Sequence, residues 1–167
     1  VNTTYPEAHL FRYLTAGEVL AFQDRTYRDL TEPLQNWLKA SEGRTGFLPQ
    51  GEAWFRARLQ YGGGTIEGTG AGSVLNSIQC DGIHVTSNQT TLSNFHIRDY
   101  NDEKTHSGIV CVGGSVSAPR SKLSITSVNV RGYKIGVDWQ YTVNSRLDDV
   151  DTLYCSKAVR LFGQSVN

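Results

Sequence analysis

The sequence predicts an all-β fold, a right-handed parallel β-helix whose N-terminal end is capped by an α-helix. The first indication is a tetrad, a small residue followed by an apolar–any–apolar triplet, which occurs four times in the second half of the chain. The copies are Gly82-Ile83-His84-Val85, Gly108-Ile109-Val110-Cys111, Gly136-Val137-Asp138-Trp139 and Ala158-Val159-Arg160-Leu161. Their small residues lie 26, 28 and 22 positions apart. Period-two alternation indicates strands, and strands at a nearly fixed interval are typical of stacked solenoid coils.

A second pattern, apolar-x-x-apolar-x-apolar, recurs between the tetrads. Its copies are Leu92, Phe95 and Ile97; Ile125, Val128 and Val130; and Leu147, Val150 and Thr152. The same frames align Arg98 with Arg131 and Tyr100 with Tyr133. A leucine-rich repeat opens similarly, but it has one strand per repeat and an Asn or Cys three residues after the last apolar position. Only the third copy, with Cys155, complies, so a parallel β-helix is favoured over that repeat or an ordinary sandwich.

A capping helix is predicted from Asp29 to Ala40. Thr31 can serve as its N-cap, and its apolar residues Leu34, Trp37 and Leu38 fall on one face. A solenoid exposes an apolar cross-section at its first coil, and an amphipathic helix laid across that end would cover it.

The chain divides into three predicted segments. Residues 1–28 have no counterpart in the repeats and are expected to form an N-terminal arm or linker. Residues 29–50 hold the capping helix and the first strand, and residues 51–167 hold the start of the parallel β-helix. Because no polar cap follows the last tetrad, we expect a truncated C-terminal end with further coils beyond it.

Composition argues against several classes of function. The 16 basic and 16 acidic residues cancel and form no long block of one charge, which argues against nucleic acid as a partner. No apolar run is long enough to insert into a membrane as a helix. The three cysteines have no metal-like spacing, and we expect neither a metal site nor a cofactor.

Three segments of the chain, taken in order, resemble the opening of pectate-lyase-superfamily β-helices. They are Asp29-Leu30-Thr31-Glu32-Pro33-Leu34-Gln35-Asn36-Trp37-Leu38, Gly46-Phe47-Leu48-Pro49-Gln50-Gly51 and Ile66-Glu67-Gly68-Thr69-Gly70-Ala71-Gly72-Ser73-Val74-Leu75. In that family an Asp-Thr-containing capping helix, a Leu-Pro-x-Gly strand end and an x-Gly-x-Gly-x-Gly-Ser segment follow one another. Bacteriophage tailspikes and capsule depolymerases commonly begin this way. The resemblance is specific for the fold, since the family includes lyases, hydrolases, epimerases and glycan-binding proteins.

Candidate catalytic residues are acidic, because glycoside hydrolysis needs two carboxylates about 5–10 Å apart. Neighbouring coils lie about 4.8 Å apart, so carboxylates on nearby coils can meet this distance. The candidates are Asp99, Asp102 and Glu103 in a loop-like segment, and Asp148 and Asp149 on a predicted strand. The resemblance assigns none of them a role: polygalacturonase-like members combine Asp-Asp with Asn-Thr-Asp, Gly-His-Gly and Arg-Ile-Lys segments, which this chain lacks. Acidic residues in long turns are also commonly just solvated.

Candidate substrate-binding residues are outward-pointing polar side chains and exposed aromatic rings. Sugar hydroxyls need directional donors and acceptors, and sugar rings stack on aromatic faces. The candidates are His84, His96, Tyr100, Asp138 and Tyr141. The alternative stays open that these positions are polar only because they face solvent, or that the tyrosines pack against neighbouring residues.

For function, the resemblance implies the N-terminal β-helix segment of a phage tailspike that binds a bacterial surface polysaccharide. It further implies a homotrimer on the virion tail, joined to other virion or tail proteins through the N-terminal arm, with any depolymerase active site in later coils. One alternative is an extracellular enzyme like a pectate lyase or polygalacturonase. Another is a purely structural module for capping and trimerisation. Whether the chain is an enzyme stays open; an active form would be a glycoside hydrolase or a polysaccharide lyase.

Overall fold

A computed structural model describes residues 3–101, 104–113, 115 and 117–163. In this part of the chain the fold is mostly β, a parallel β-solenoid of about five turns with two α-helices that precede the first strand. The predicted fold class is therefore confirmed, and the parallel pairing of successive coils is compatible with the right-handed sense of such crossovers. No helix of the described residues has the length and apolarity needed to span a bilayer.

The helices are α1 (Ala16–Gln23) and α2 (Thr31–Ala40), and one 3₁₀ turn occupies Leu10–Tyr13. The strands are β1 (Thr45–Phe47), β2 (Gly51–Phe55), β3 (Leu59–Tyr61), β4 (Gly64–Glu67), β5 (Ser73–Ser77), β6 (Ile83–Val85), β7 (Thr90–Asp99), β8 (Ser107–Val112), β9 (Arg120–Ser121), β10 (Leu123–Arg131), β11 (Ile135–Gln140), β12 (Thr142–Val143), β13 (Arg146–Leu153) and β14 (Lys157–Phe162).

The coils stack into three faces. The first face consists of β1, β4 and the first halves of β7, β10 and β13, and the second consists of β2, β5 and the second halves of the same long strands. The third face consists of β3, β6, β8, β11 and β14, which include the tetrads. Val85, Cys111 and Trp139 stand in one register column of this face and are buried, as their inward positions in the tetrad predict. Leu161 continues the column but is 64% exposed in the last described coil.

A residue with positive φ bends each long strand between the first and second faces. Asn94, Ser127 and Asp149 have φ values of 57°, 52° and 52°, and the register of strand pairs skips all three. Positive φ is uncommon for residues other than glycine. Its recurrence at one place in three successive coils shows that stacking imposes the corner.

The glycine of each of the first three tetrads, Gly82, Gly108 and Gly136, lies where the chain passes very close to the neighbouring coil. A Cβ atom on Gly82 would lie 2.1 Å from the carbonyl oxygen of Gly108 and 2.6 Å from Cδ1 of Ile97. A Cβ atom on Gly108 would lie 2.5 Å from Cγ1 of Val130. Close approach of two backbones is therefore the reason for glycine at these positions.

The predicted capping helix is present as α2, and its predicted apolar face, Leu34, Trp37 and Leu38, is buried in the same core as the strands. Its N-cap differs from the prediction. Thr31 is the first helical residue. Its backbone N–H and its hydroxyl donate hydrogen bonds to the carboxylate of Asp29, at 3.0 Å and 2.6 Å respectively. The prediction that Thr31 is the cap was wrong because the acidic side chain two residues earlier reaches the free helix N–H.

The N-terminal region also pairs with the backbone edge of every strand in the first coil. The N–H of Phe47 in β1 donates to the carbonyl of Ala8 at 2.9 Å, and Leu30 bonds to β2. For β3, the side-chain carboxamide of Gln35 makes the hydrogen bonds that a neighbouring strand would otherwise make. It donates to the backbone carbonyl of Gln60 at 2.8 Å and accepts from the backbone N–H of Gln60 at 2.9 Å. An unpaired edge strand is a template for aggregation, and these contacts remove that edge.

The described residues before Asp29, where we expected an arm or linker, pack against the same cap. Leu10 and Phe22 are fully buried in the common core. Helix α1 begins with a capping box in which Thr15 and Glu18 bond to each other's backbone N–H. These residues therefore extend the cap.

We expect Gly82→Ala to lower the free energy of unfolding by about 1–3 kcal/mol, because the added methyl group forces two coils apart. Urea denaturation followed by circular dichroism measures this change. The matched control is Gly17→Ala in α1, where a Cβ atom meets only Arg28 at 3.5 Å and improves helix propensity. Equal stability of the two variants would contradict the close-approach argument.

We expect Gln35→Ala to lower the free energy of unfolding by about 1 kcal/mol, since it leaves the N–H and carbonyl of Gln60 without their partner. Asn36→Ala is the control, because Asn36 is exposed on the same helix. Hydrogen exchange at the Gln60 amide gives a second readout and should accelerate only in the Gln35 variant. An unchanged exchange rate would show that the carboxamide does not protect this edge.

Candidate functional site

Two adjoining clefts lie where the chain turns out of the second face. One, of about 320 Å³, is lined by Tyr27, Arg56, Ile78, Gln79, Tyr100 and Asn101. The other, of about 230 Å³, is lined by Arg98, Asp99, Tyr100 and Arg131. Because Tyr100 borders both clefts, we treat these nine residues as one site and call it the corner groove.

Strand stacking positions the groove residues on four successive coils, at the ends of β2, β5, β7 and β10. The N–H of Tyr100 donates to the carbonyl of Ser77 at 2.9 Å, and the N–H of Ile78 donates to the carbonyl of Phe55 at 2.9 Å. These bonds continue the parallel ladder one residue beyond the strands into the turn. The backbone of Tyr100 is thereby held while its side chain remains 57% exposed.

Tyr27, from the segment between α1 and α2, provides a second exposed aromatic ring in the groove. Its hydroxyl accepts a hydrogen bond from Nε of Arg56 at 2.8 Å, and the same guanidinium lies 5.7 Å from the ring centroid. The ring packs edge-on against the buried Trp54 at a centroid distance of 6.2 Å. Tyr27 is thus held from two sides, although it is 53% exposed. Sequence reasoning missed it because it precedes the repeats and belongs to no motif.

An ion pair between the half-buried Arg98 and the buried Glu52 anchors Arg98 at the floor of the groove. Its Nη2 lies 2.6 Å from Oε2 of Glu52, and its Nε donates to the side-chain oxygen of Asn76. Nδ2 of Asn76 also donates to Glu52 at 3.3 Å. Glu52 and Asn76 are buried. A buried charge is tolerated only when it is paired and hydrogen-bonded, so this cluster holds Arg98 in one place.

Arg131 is the register neighbour of Arg98 on the next coil. Its guanidinium lies over the ring of Tyr154, 4.8 Å from the centroid. Tyr154 is 63% exposed. Within the described part of the chain, Arg131 takes part in no ion pair with a carboxylate.

Asp99, expected in a loop-like segment, is instead the last residue of β7 and is buried. Strand alternation places it on the side opposite Arg98. Its Oδ1 accepts the N–H of Asn101 at 3.2 Å. The pKa of Tyr133 is raised mainly by burial, and the charge of Asp99 adds to this increase. Asp99 is also one of the residues that line the smaller cleft. The other two candidates in this segment, Asp102 and Glu103, lie outside the described residues.

Asp148 and Asp149 do not join Asp99. Asp148 forms an ion pair with Arg146 on the first face, and Asp149 occupies the strand bend, where it accepts the hydroxyl of Ser127 at 2.8 Å. In register, Asp149 corresponds to Asn94, five positions before Asp99 and about 16 Å along the strand direction. At that separation Asp149 does not form with Asp99 the close carboxylate pair that glycoside hydrolysis requires.

His84 and Asp138 lie on the third face and have partners there. The side chain of Asp138 occupies an outward position of the tetrad, as predicted. It is nevertheless buried, because Arg160 at the paired position of the next coil covers it and forms an ion pair with it. Both of its carboxylate oxygens also accept Nε2 of Gln140, at 2.9 and 3.0 Å. Nε2 of His84 lies 3.1 Å from Oδ2 of Asp81. Neither His84 nor Asp138 lines the corner groove.

The remaining candidates, His96 and Tyr141, also lie outside the groove lining. His96 is half-buried two residues before Arg98 on the second face, and burial lowers its pKa. Tyr141 occupies a different corner, where its ring contacts Phe162 at a centroid distance of 5.7 Å. Among the five predicted substrate-binding residues, Tyr100 alone borders the corner groove.

The groove combines chemical groups suited to binding a polar ligand with flat apolar surfaces. Tyr27 and Tyr100 offer ring faces, and the carboxamides of Gln79 and Asn101 each carry donors and an acceptor. Of the described residues that line it, Asp99 is the single carboxylate. The described residues hold no cluster of three or more His, Cys, Asp or Glu side chains arranged to bind a metal ion.

Comparison of the chain with family models, with curated proteins and with solved structures found no match. The corner groove is therefore interpreted from its own geometry and chemistry.

Proposed function

We propose that the chain is the N-terminal β-helix segment of a phage tailspike and that it binds a bacterial surface polysaccharide in the corner groove. The observation that carries the binding proposal is the pair of exposed tyrosines, Tyr27 and Tyr100, that both line a cleft of about 320 Å³. The tailspike assignment draws on the resemblance of residues 29–75 and on the β-solenoid fold.

Aromatic rings that remain half exposed beside a cleft favour a ligand with flat apolar surfaces. The C–H faces of a pyranose ring are such surfaces, while its hydroxyl groups require directional polar partners. Trp54 and Arg56 hold Tyr27 in place before any ligand binds. Such preorganisation reduces the conformational entropy lost on binding.

Length and direction also favour a polymer. The groove lining runs across four coils, from Arg56 after β2, through Ile78 after β5 and Tyr100 after β7, to Arg131 at the end of β10. Neighbouring coils are about 4.8 Å apart, so the lining extends beyond a single sugar ring. A chain of several sugar units can contact both clefts at once.

Binding is favoured over hydrolysis in this groove because two-carboxylate catalysis needs a second acidic group near Asp99. The described lining supplies none. The alternative of an extracellular enzyme like a pectate lyase or polygalacturonase requires a catalytic set elsewhere. The alternative of a purely structural module requires that substitutions in the groove leave glycan binding unchanged.

The proposal extends to assembly and location. Tailspike β-helices of this kind associate as homotrimers on the virion tail, and the N-terminal segment would contact other virion or tail proteins. Sedimentation equilibrium measures the oligomeric state directly, and a strictly monomeric chain over a wide concentration range would count against the trimer.

We expect Tyr100→Ala to weaken polysaccharide binding roughly tenfold, because it removes an aromatic platform shared by both clefts. Tyr100→Phe keeps the ring and should retain most of the affinity. Binding is measured by calorimetry, after a panel of purified bacterial surface polysaccharides has been screened against the unmodified chain.

Tyr141→Ala is the control, because this tyrosine lies at another corner and should leave affinity unchanged. Circular dichroism and thermal melting verify that each variant is folded. The proposal fails if no polysaccharide binds, or if the Tyr100 and Tyr141 variants lose affinity equally.

A further inference from the structure

We infer that Arg131 binds a carboxylate carried by the polysaccharide, so that the corner groove selects acidic glycans over neutral ones. The inference rests on the proposed glycan binding and names the class of ligand. It follows from the different surroundings of two arginines that occupy equivalent positions on adjacent coils.

Arg98 and Arg131 are register neighbours, but only Arg98 has its charge compensated. Arg98 is bound to Glu52 and Asn76 and serves as part of the groove floor. Arg131 has no carboxylate partner among the described residues and is exposed. Because Glu52 compensates Arg98, the positive potential at this end of the groove comes mainly from Arg131. An anionic ligand group beside Arg131 would compensate that charge.

The contact with Tyr154 orients Arg131 for recognition. A guanidinium 4.8 Å from a ring centroid is held by a cation–π interaction. The N–H donors lie in the guanidinium plane, so packing on a ring face leaves them accessible at the edge. Their fork geometry matches a carboxylate through two parallel hydrogen bonds, which an ammonium group does not reproduce.

The charge balance of the groove points the same way. The whole chain has equal numbers of acidic and basic residues, yet the groove lining contains Arg56, Arg98 and Arg131 against Asp99 alone. Asp99 is buried on the inner side of its strand, and Glu52 pairs with Arg98 of the groove and, at 3.8 Å, with Arg25 outside it. The described groove therefore carries excess positive charge on a neutral chain.

The test compares each polysaccharide bound by the intact chain with its carboxyl-reduced form, in which uronic acids have become neutral sugars. We expect the unmodified chain to bind the reduced form roughly tenfold more weakly. Arg131→Gln should weaken binding of the native polymer by about the same factor. On the reduced polymer, its affinity should equal that of the unmodified chain. Arg131→Lys, which keeps the charge but not the fork, should recover only part of the loss.

The control is Arg58→Gln, which removes the same charge from an exposed position outside the corner groove. Equal losses in the Arg58 and Arg131 variants would overturn the inference, since they would indicate general charge attraction. Equal binding of native and reduced polymers by the unmodified chain would also overturn it, while the proposed glycan binding would stand. If removal of phosphate substituents from the polymer, rather than reduction of its carboxyl groups, abolished binding, the group bound by Arg131 would be a phosphate and the carboxylate inference would be wrong. Failure to bind any polymer would remove the proposed function itself.

Discussion

In-register stacking of parallel coils is the constraint on which the rest of this structure depends. Each coil must follow the path of the one before it, so equivalent positions form columns with shared geometry. The column of Gly82 and Gly108 permits coils to approach closely, since a Cβ atom there would collide with the neighbouring backbone or core. The column of Asn94, Ser127 and Asp149 maintains the bend between two faces through positive φ. Stacking thus accounts for both the strands and the corners.

The corner groove arises where this stacking meets the N-terminal cap. The ladder aligns Arg98 with Arg131 and holds the backbone of Tyr100 in the turn. The cap supplies Tyr27, and Arg56 of the first coil holds its ring in place. A single set of contacts therefore shields the edge of the solenoid and completes the candidate site. Residues far apart in the chain become neighbours because the solenoid and its cap are packed as one core.

Local patterns predicted the strand columns well and burial within them less well. Val85, Cys111 and Trp139 are aligned and buried as the tetrads indicate. Tyr100 and Tyr133 occupy matching positions in the repeat frames, yet Tyr100 is exposed whereas Tyr133 is fully buried and bonded to Ser77. Beyond the strand ends the repeats continue into turns whose backbone paths differ from coil to coil. Two residues at the same position of the repeat can therefore point their side chains in different directions there.

The periodicity of the chain was sufficient to establish a capped parallel β-solenoid, because strand alternation and helix amphipathicity are local properties of neighbouring residues. It did not reveal that Arg160 would bury Asp138, or that Asp99 would face inward while Arg98 faced the groove. These outcomes depend on side chains from adjacent coils. Tyr27 joined the site only through folding of the N-terminal segment onto the first coil. Contacts between distant segments carry no local signature, so only the tertiary structure could show which polar and aromatic residues share a groove.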